Sequence, residues 1–231
     1  MNFTNEDILR IAAEQSAIDC GCSSGDFFGQ ENVIVPSRVT SGARAYLYQP
    51  LDCNFVSYGN NVVACVREEL REIVRRYLEN RAAERCFETP ALHELDGALA
   101  PYGVRSRFMA EYFLPDVTRL KEKPCPYPVR ILSPEEFQNL YLPEWGNALS
   151  AKRPERDVLC AGAYDGDTLA GLAGVSADCE TMWQIGIDVL PGYRRKGIAS
   201  ALTSRLALEA LSRGKVPFYC AAWSNLKSVR N

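Results

Sequence analysis

The chain has 231 residues, 47% hydrophobic and 24% charged, with a formal net charge of -3. That length suits one large or two small globular domains, and the slight acidic balance removes the broad electrostatic reason to expect nucleic acid as a partner. No segment approaches the roughly 18 uninterrupted apolar residues of a membrane span, and the acidic, polar start lacks the basic and apolar regions of a secretory signal. No membrane partner and no export are therefore expected.

In chain order, a short helix is expected over residues 5–18, then β-type runs over 32–36, 44–48, 54–58 and 61–66, with Gly59-Asn60 marking a hairpin turn. The clearest element of this half is a helix over 67–84. Leu70, Ile73, Val74, Tyr77 and Leu78 repeat at helical spacing as one buried stripe, and Glu72 and Arg76 make a favourable i,i+4 pair on the solvated side. A further helix over 90–99, with Thr89 as its cap, precedes a strand over 105–113. Residues 116–128 include Pro124, Pro126 and Pro128, which block helix and weaken sheet pairing; they read as a stiff, extended linker.

Beyond it, a strand over 129–132 leads into Ser133-Pro134-Glu135-Glu136, a capped helix start. Three strands follow in meander order over 157–164, 168–176 and 181–190, with Asp165-Gly166-Asp167 as the first turn. A long helix over 197–213 stops at Gly214. A strand over 216–222 comes next, and Asn225 opens one more helix. Nine cysteines, odd in number and irregular in spacing, sit partly inside apolar runs such as Val63-Ala64-Cys65-Val66, where free cysteine acts as a small core residue. A reducing, cytoplasmic setting fits them. Cys20-Gly21-Cys22 has no second pair at zinc spacing, and His93 is the only histidine, so no metal is expected.

The stretch that carries chemistry runs from Trp183 to Ala199. A strand ends at Leu190, Pro191-Gly192 turns the chain, and Gly197 opens a helix. Backbone N–H groups at a helix N-terminus are unpaired and can cradle a phosphate. Arg194, Arg195 and Lys196 put positive charge at the end where the helix dipole prefers acidic residues; a bound anion resolves that conflict. The plain alternative is a glycine-opened helix with a solvated basic start.

Arg194-x-x-Gly197-x-Ala199 resembles the (Gln/Arg)-x-x-Gly-x-(Gly/Ala) signature of the GNAT acyltransferase superfamily, and stands between a fourth strand and a third helix as in that family. Ile187-Asp188-Val189-Leu190-Pro191 is similar to the family's hydrophobic strand end, and Asn225 with Ser228 to the start of its Asn-x-x-(Ser/Ala) helix. The resemblance covers residues 129–231. It implies an α/β (α+β) fold with a mixed, mostly antiparallel sheet flanked by helices. A smaller α+β domain of unknown role over 1–115 would precede it.

It further implies acetyl-CoA as cosubstrate, without a metal. The N–H groups of Arg194, Arg195, Lys196, Gly197, Ile198 and Ala199 would hold the pyrophosphate, and the backbone of Ile187 and Val189 the pantetheine arm. The amide at the strand splay would also stabilise charge on the thioester oxygen. Transfer to an amine needs a base. Strand four offers Gln184 and Asp188, and the turn before it Asp178 and Glu180; Glu180 or Asp188 is the expected base, each with a solvated or structural carboxylate as the alternative. The family's usual acid is a tyrosine on the helix that Asn225 begins. The sequence ends at Asn231, before that helix or the last two strands of a complete fold, so truncation is expected. Tyr193 is not assigned the acid's role.

Family members often bind the acceptor against a neighbouring domain or subunit, an arrangement compatible with a homodimer. Phe27, Phe28, Tyr112 and Phe113 are candidate cleft residues, with core packing as the alternative. The expected activity is acetyl transfer to a primary amine of a small molecule or peptide. The competing readings are a non-catalytic acyl-CoA sensor and an interaction module with a vestigial loop.

Overall fold

Thr4 and Asp7 cap the first helix reciprocally: the Asp7 N–H donates to the Thr4 hydroxyl (3.1 Å) and the Thr4 N–H to the Asp7 carboxylate (3.0 Å). From this cap α1 runs Asn5–Cys20. The structure, a computed structural model, describes residues 3–231; Met1 and Asn2 lie outside the described residues. The chain divides into two compact units, one comprising Ala12–Met109 and the other the residues through Ile11 together with Ala110–Asn231.

The first of these units is built around three short strands, β1 (Val33–Pro36), β2 (Cys53–Val56) and β3 (Val63–Val66), in the order β1-β3-β2. The hairpin expected at Gly59-Asn60 is present, pairing Val56 with Val63 and Cys53 with Val66. Strand β3 is buried on both faces. Ala64 and Val66 face α2 (Arg71–Leu78) and α3 (Thr89–Leu99), while Val63 and Cys65 face Ala13, Ala17 and Phe27. The expected stripe of α2 is buried at Leu70, Val74, Tyr77 and Leu78. Glu72 pairs with Arg76 at 2.9 Å and with Arg75 at 2.8 Å. The helix stops at Leu78, well short of residue 84, because Glu79 is extended and Asn80 left-handed (φ 56). The strand expected over 44–48 does not form: the Arg44 N–H and guanidinium both donate to the buried Asp19 carboxylate, which takes this segment out of any ladder.

The second unit carries a six-stranded sheet in the order β4-β9-β8-β7-β6-β5: β4 (Ala110–Phe113), β5 (Val129–Leu132), β6 (Asp157–Asp165), β7 (Thr168–Ser176), β8 (Met182–Val189) and β9 (Val216–Ala222). Every pair is antiparallel except β8–β9. β4, which the sequence pattern assigns to the N-terminal half, belongs to this sheet: Ala110 pairs with Ala222 and Phe113 with Tyr219. One division between the compact units falls at Met109/Ala110 and the other at Ile11/Ala12. Alternation along the strands feeds two cores. Leu159, Ala161, Ala163, Ala173, Val175 and Ile185 lie under α5 (Ile198–Ser212), which supplies Ile198, Leu202, Leu206 and Ala207. Cys160 and Leu172 face Phe137, Trp145, Ala148 and Leu149 on the other side.

The capping box at Ser133 forms, but the helix it opens, α4 (Pro134–Phe137), is only one turn long. Residues 116–128 are irregular, as their prolines require, and they are tied down. The Lys123 N–H donates to Ser204 Oγ (2.9 Å), and Leu120, Cys125 and Tyr127 pack against the α5 core. No helix among the described residues is long and apolar enough to cross a membrane.

Candidate functional site

The chain leaves β8 through Pro191–Tyr193 and enters α5 over two left-handed residues, Arg195 (φ 64) and Gly197 (φ 83). Glycine takes that conformation without strain; at Arg195 it is a strained choice, of the kind that gathers at ligand sites. Left-handed residues between right-handed and extended neighbours turn successive N–H groups toward one concave side. Among the described residues no side chain caps α5, and its first turn carries no acidic residue. The first intrahelical bond runs from the Ala201 N–H to Gly197, so the leading N–H groups face outward at the positive end of a 15-residue helix.

The basic residues of this loop have different jobs. Arg194 Nε donates to the Val189 carbonyl (3.0 Å) and so ties the loop to the strand end. Lys196 Nζ donates to the Tyr127 hydroxyl (3.0 Å) and lies 5.0 Å from the centre of the Tyr193 ring. The bond to Tyr127 holds the Lys196 ammonium above its ordinary pKa. Tyr193 in turn donates to Asp165 (3.1 Å), whose hydrogen bond raises the phenol's pKa. Arg195 is exposed and makes no ion pair among the described residues.

Strands β8 and β9 pair from Met182–Val216 to Ile185–Tyr219, and the ladder ends there. β9 continues beside β4 while β8 continues beside β7, which opens a gap alongside residues 186–189. The Leu190 N–H donates to Ala170 on β7 (3.0 Å). With a period of two, Ile187 and Val189 turn their backbone groups the other way, into the gap. Val189's carbonyl is already taken by Arg194; Ile187's groups face the opening. Both side chains pack in the α5 core. The gap and the outward N–H groups of α5 lie at the same end of β8.

On the opposite face, Gly174 and Gly186 pair across β7 and β8. A Cβ at Gly186 would come 1.8 Å from the Asn147 carbonyl oxygen, and one at Gly174 1.9 Å from that of Ala148. The glycine pair is thus a shelf on which the backbone of 147–148 rests. Asp188 fixes that backbone by accepting from the Asn147 N–H (2.7 Å), Asn147 Nδ2 (2.6 Å) and the Ala148 N–H (3.0 Å).

Beside the shelf is a cavity of about 260 Å³, lined by residues 146–150, Arg153, Asp157, Gly174, Ser176, Asp178, Gln184 and Gly186. Its floor is a row across three strands, since Asp157 pairs with Ser176 and Ser176 with Gln184. Arg153 Nε lies 2.9 Å from the buried Asp178 carboxylate, which also accepts from Ser176 Oγ (2.9 Å). Asp157 accepts from the Ser150 N–H (2.8 Å) and the Tyr141 hydroxyl (3.2 Å). Burial pushes the Asp157 carboxyl above its ordinary pKa, and burial together with Asp157 keeps the Tyr141 phenol a donor.

The geometry therefore brings together Ile187, Val189 and the residues from Arg194 to Ala199. Asn225 caps α6 (Leu226–Val229) by accepting from the Ser228 N–H (3.3 Å). Glu180 is not brought to the gap: it is exposed, before the start of β8, at the closed end of the β8–β9 ladder. Asp188 is occupied in holding 147–148. Of the cleft aromatics, Phe27 is fully buried, Phe28 exposed, and Tyr112 and Phe113 lie against Phe218 and Tyr219. Among the described residues no group of three or more His, Cys, Asp or Glu is placed to hold a metal ion. The strand ends and turn gave Asp178 and Gln184 as polar candidates, but Asp157, Arg153 and Tyr141 were missed. A carboxylate opening an otherwise apolar strand was the one available signal for Asp157.

A family model for the acetyltransferase (GNAT) family matches residues 115–230, half of the chain. Solved structures to which parts of the chain are similar include a GCN5-related N-acetyltransferase-like protein from Streptococcus suis (19% identical, TM-score 0.43, 58% of this chain and 59% of that one). Others are a GCN5-related N-acetyltransferase from Kribbella flavida (17%, 0.38, 50% and 48%) and a GNAT-family acetyltransferase from Colwellia psychrerythraea (14%, 0.43, 78% and 76%). The chain thus spans about half the length of several of the structures it resembles. Among curated proteins, none matches the sequence.

Proposed function

The chain belongs to the acetyltransferase (GNAT) family, and from that premise we propose that it transfers an acetyl group from acetyl-CoA to a primary amine by direct attack. The observation that carries this reading is the gap opened where β9 leaves β8 at Ile185, next to the uncapped N-terminus of α5. The N–H groups of the Arg194–Ala199 segment would bind the diphosphate, and Arg195 adds charge. Ile187 would hydrogen-bond the pantetheine arm, its N–H being the group best placed to stabilise charge on the thioester oxygen.

The attacking amine, as the neutral base, forms the C–N bond while the C–S bond breaks. The nitrogen sheds one proton to solvent and the departing thiolate takes one up. Holding the two reactants side by side supplies much of the acceleration. The test is thiol release from acetyl-CoA across a panel of small amines. Amine-dependent release with a matching acetylated product supports transfer; acetyl-CoA binding with no release across the panel favours the sensor instead.

A further inference from the structure

We propose that the cavity floored by Asp157, Ser176 and Gln184 is the acceptor subsite, and that its acceptor is a small aliphatic diamine or polyamine, one nitrogen attacking at the β8–β9 gap and a second, cationic one paired with Asp157. The inference rests on the transfer reaction proposed above. Three charged side chains line the cavity. Arg153 and Asp178 satisfy one another at 2.9 Å. Asp157, only 5% exposed, is held by two neutral donors and stands in no ion pair among the described residues. Arg153 attracts Asp157 only from beyond ion-pair distance, and Asp178 repels it; a buried carboxylate with no counter-charge in contact is costly, and a ligand ammonium supplies that contact. The same surplus negative charge disfavours an anionic acceptor.

Distance requires two nitrogens rather than one. Neighbouring strands lie about 4.8 Å apart, so Asp157 on β6 is about 10 Å across the sheet from β8. A nitrogen paired with Asp157 is out of reach of a thioester held at Ile187. Gln184, by contrast, stands beside Ile185, where β9 departs, and Gly186 is the first residue past that point. An extended chain lying along the row from Asp157 to Gln184 brings its far end to the opening. The cavity is smaller than most small-molecule sites and is bordered by residues 146–150, which suits a slender aliphatic chain better than a folded protein surface.

The probes are hexamethylenediamine, whose nitrogens reach about 9 Å apart when extended, and n-hexylamine, of the same length with one nitrogen. Binding is read by calorimetry with CoA present, and transfer by thiol release from acetyl-CoA. Wild type is expected to favour the diamine by about 30-fold in transfer, because the monoamine's one nitrogen can pair with Asp157 or attack but not both. Asp157→Asn, which keeps acceptors for Ser150 and Tyr141, is expected to bring the diamine down to the monoamine while the acetyl-CoA heat stays unchanged. Equal transfer to the two probes by wild type, or a transfer preference that survives in Asp157→Asn, overturns the inference. Asp157-dependent diamine binding with no transfer keeps the subsite and overturns the proposed reaction. Transfer without that dependence does the reverse.

Discussion

Replacing Asp188 separates an anchoring carboxylate from a catalytic one. It accepts three hydrogen bonds, two from Asn147 and one from Ala148, and each bond to a charged group is worth about 1.5–3 kcal/mol when fully protected. Two of the three are exposed to solvent, so screening reduces the sum, and Asp188→Ala is expected to cost about 2–3 kcal/mol. For a unit of this size that lowers the Tm by about 5–10 °C. Asp188→Asn keeps one good acceptor oxygen and is expected to lose about half as much. Because the anchored backbone forms one wall of the acceptor cavity, the acceptor KM should rise in both variants while the acid limb of the pH–rate profile keeps its position. Scanning calorimetry and a pH series of initial rates read the two effects. Full stability together with a loss of that limb in Asp188→Asn would refute the anchoring role and restore Asp188 as the base.

Gly186→Ala places a Cβ 1.8 Å from the Asn147 carbonyl oxygen; it is expected to destabilise the protein by about 1–3 kcal/mol in urea unfolding, and unchanged stability would show that 147–148 does not rest on the shelf. For Asp157, burial raises the folded pKa above the ordinary 3.8, so its contribution to stability is complete below that value and is lost as pH rises through the raised one. The Tm of Asp157→Asn minus that of wild type should therefore increase across this window; a difference independent of pH would contradict the burial argument. Glu180→Gln is expected to leave kcat and the acceptor KM unchanged, since Glu180 stands at the closed end of the ladder, and a loss of kcat above about tenfold would contradict that placement.

Much of this was legible from residue pattern alone. The meander from Asp157 to Val189, the helix after Gly197 and the strand after Gly214 follow from alternation, from the Asp165-Gly166-Asp167 turn and from helix-stop chemistry, all of which are local. The loop from Arg194 to Ala199 was equally readable, because a basic cluster at a helix start is a local contradiction. What escaped was set by register and by long-range pairing. β4 joins β9 across more than a hundred residues, and nothing near Ala110 says so. The row Asp157–Ser176–Gln184 depends on two register shifts in the β6–β7 hairpin and on a longer connection before β8, neither of which turn residues specify. Asp188 read as a base candidate for the same reason: its donors come from Asn147 and Ala148, about forty residues earlier.

The claim on which the rest depends is that the turn into α5 binds an acyl-CoA diphosphate. Titration calorimetry with acetyl-CoA tests it on wild type, Gly197→Glu and Gly197→Asn. Glutamate puts a carboxylate where the anion should sit, whereas asparagine tolerates the left-handed backbone at φ 83 and adds no charge. A clear heat from wild type, most of it kept by the asparagine variant and none by the glutamate variant, is the expected result. Equal heats from wild type and Gly197→Glu, or no heat from wild type, would contradict the assignment.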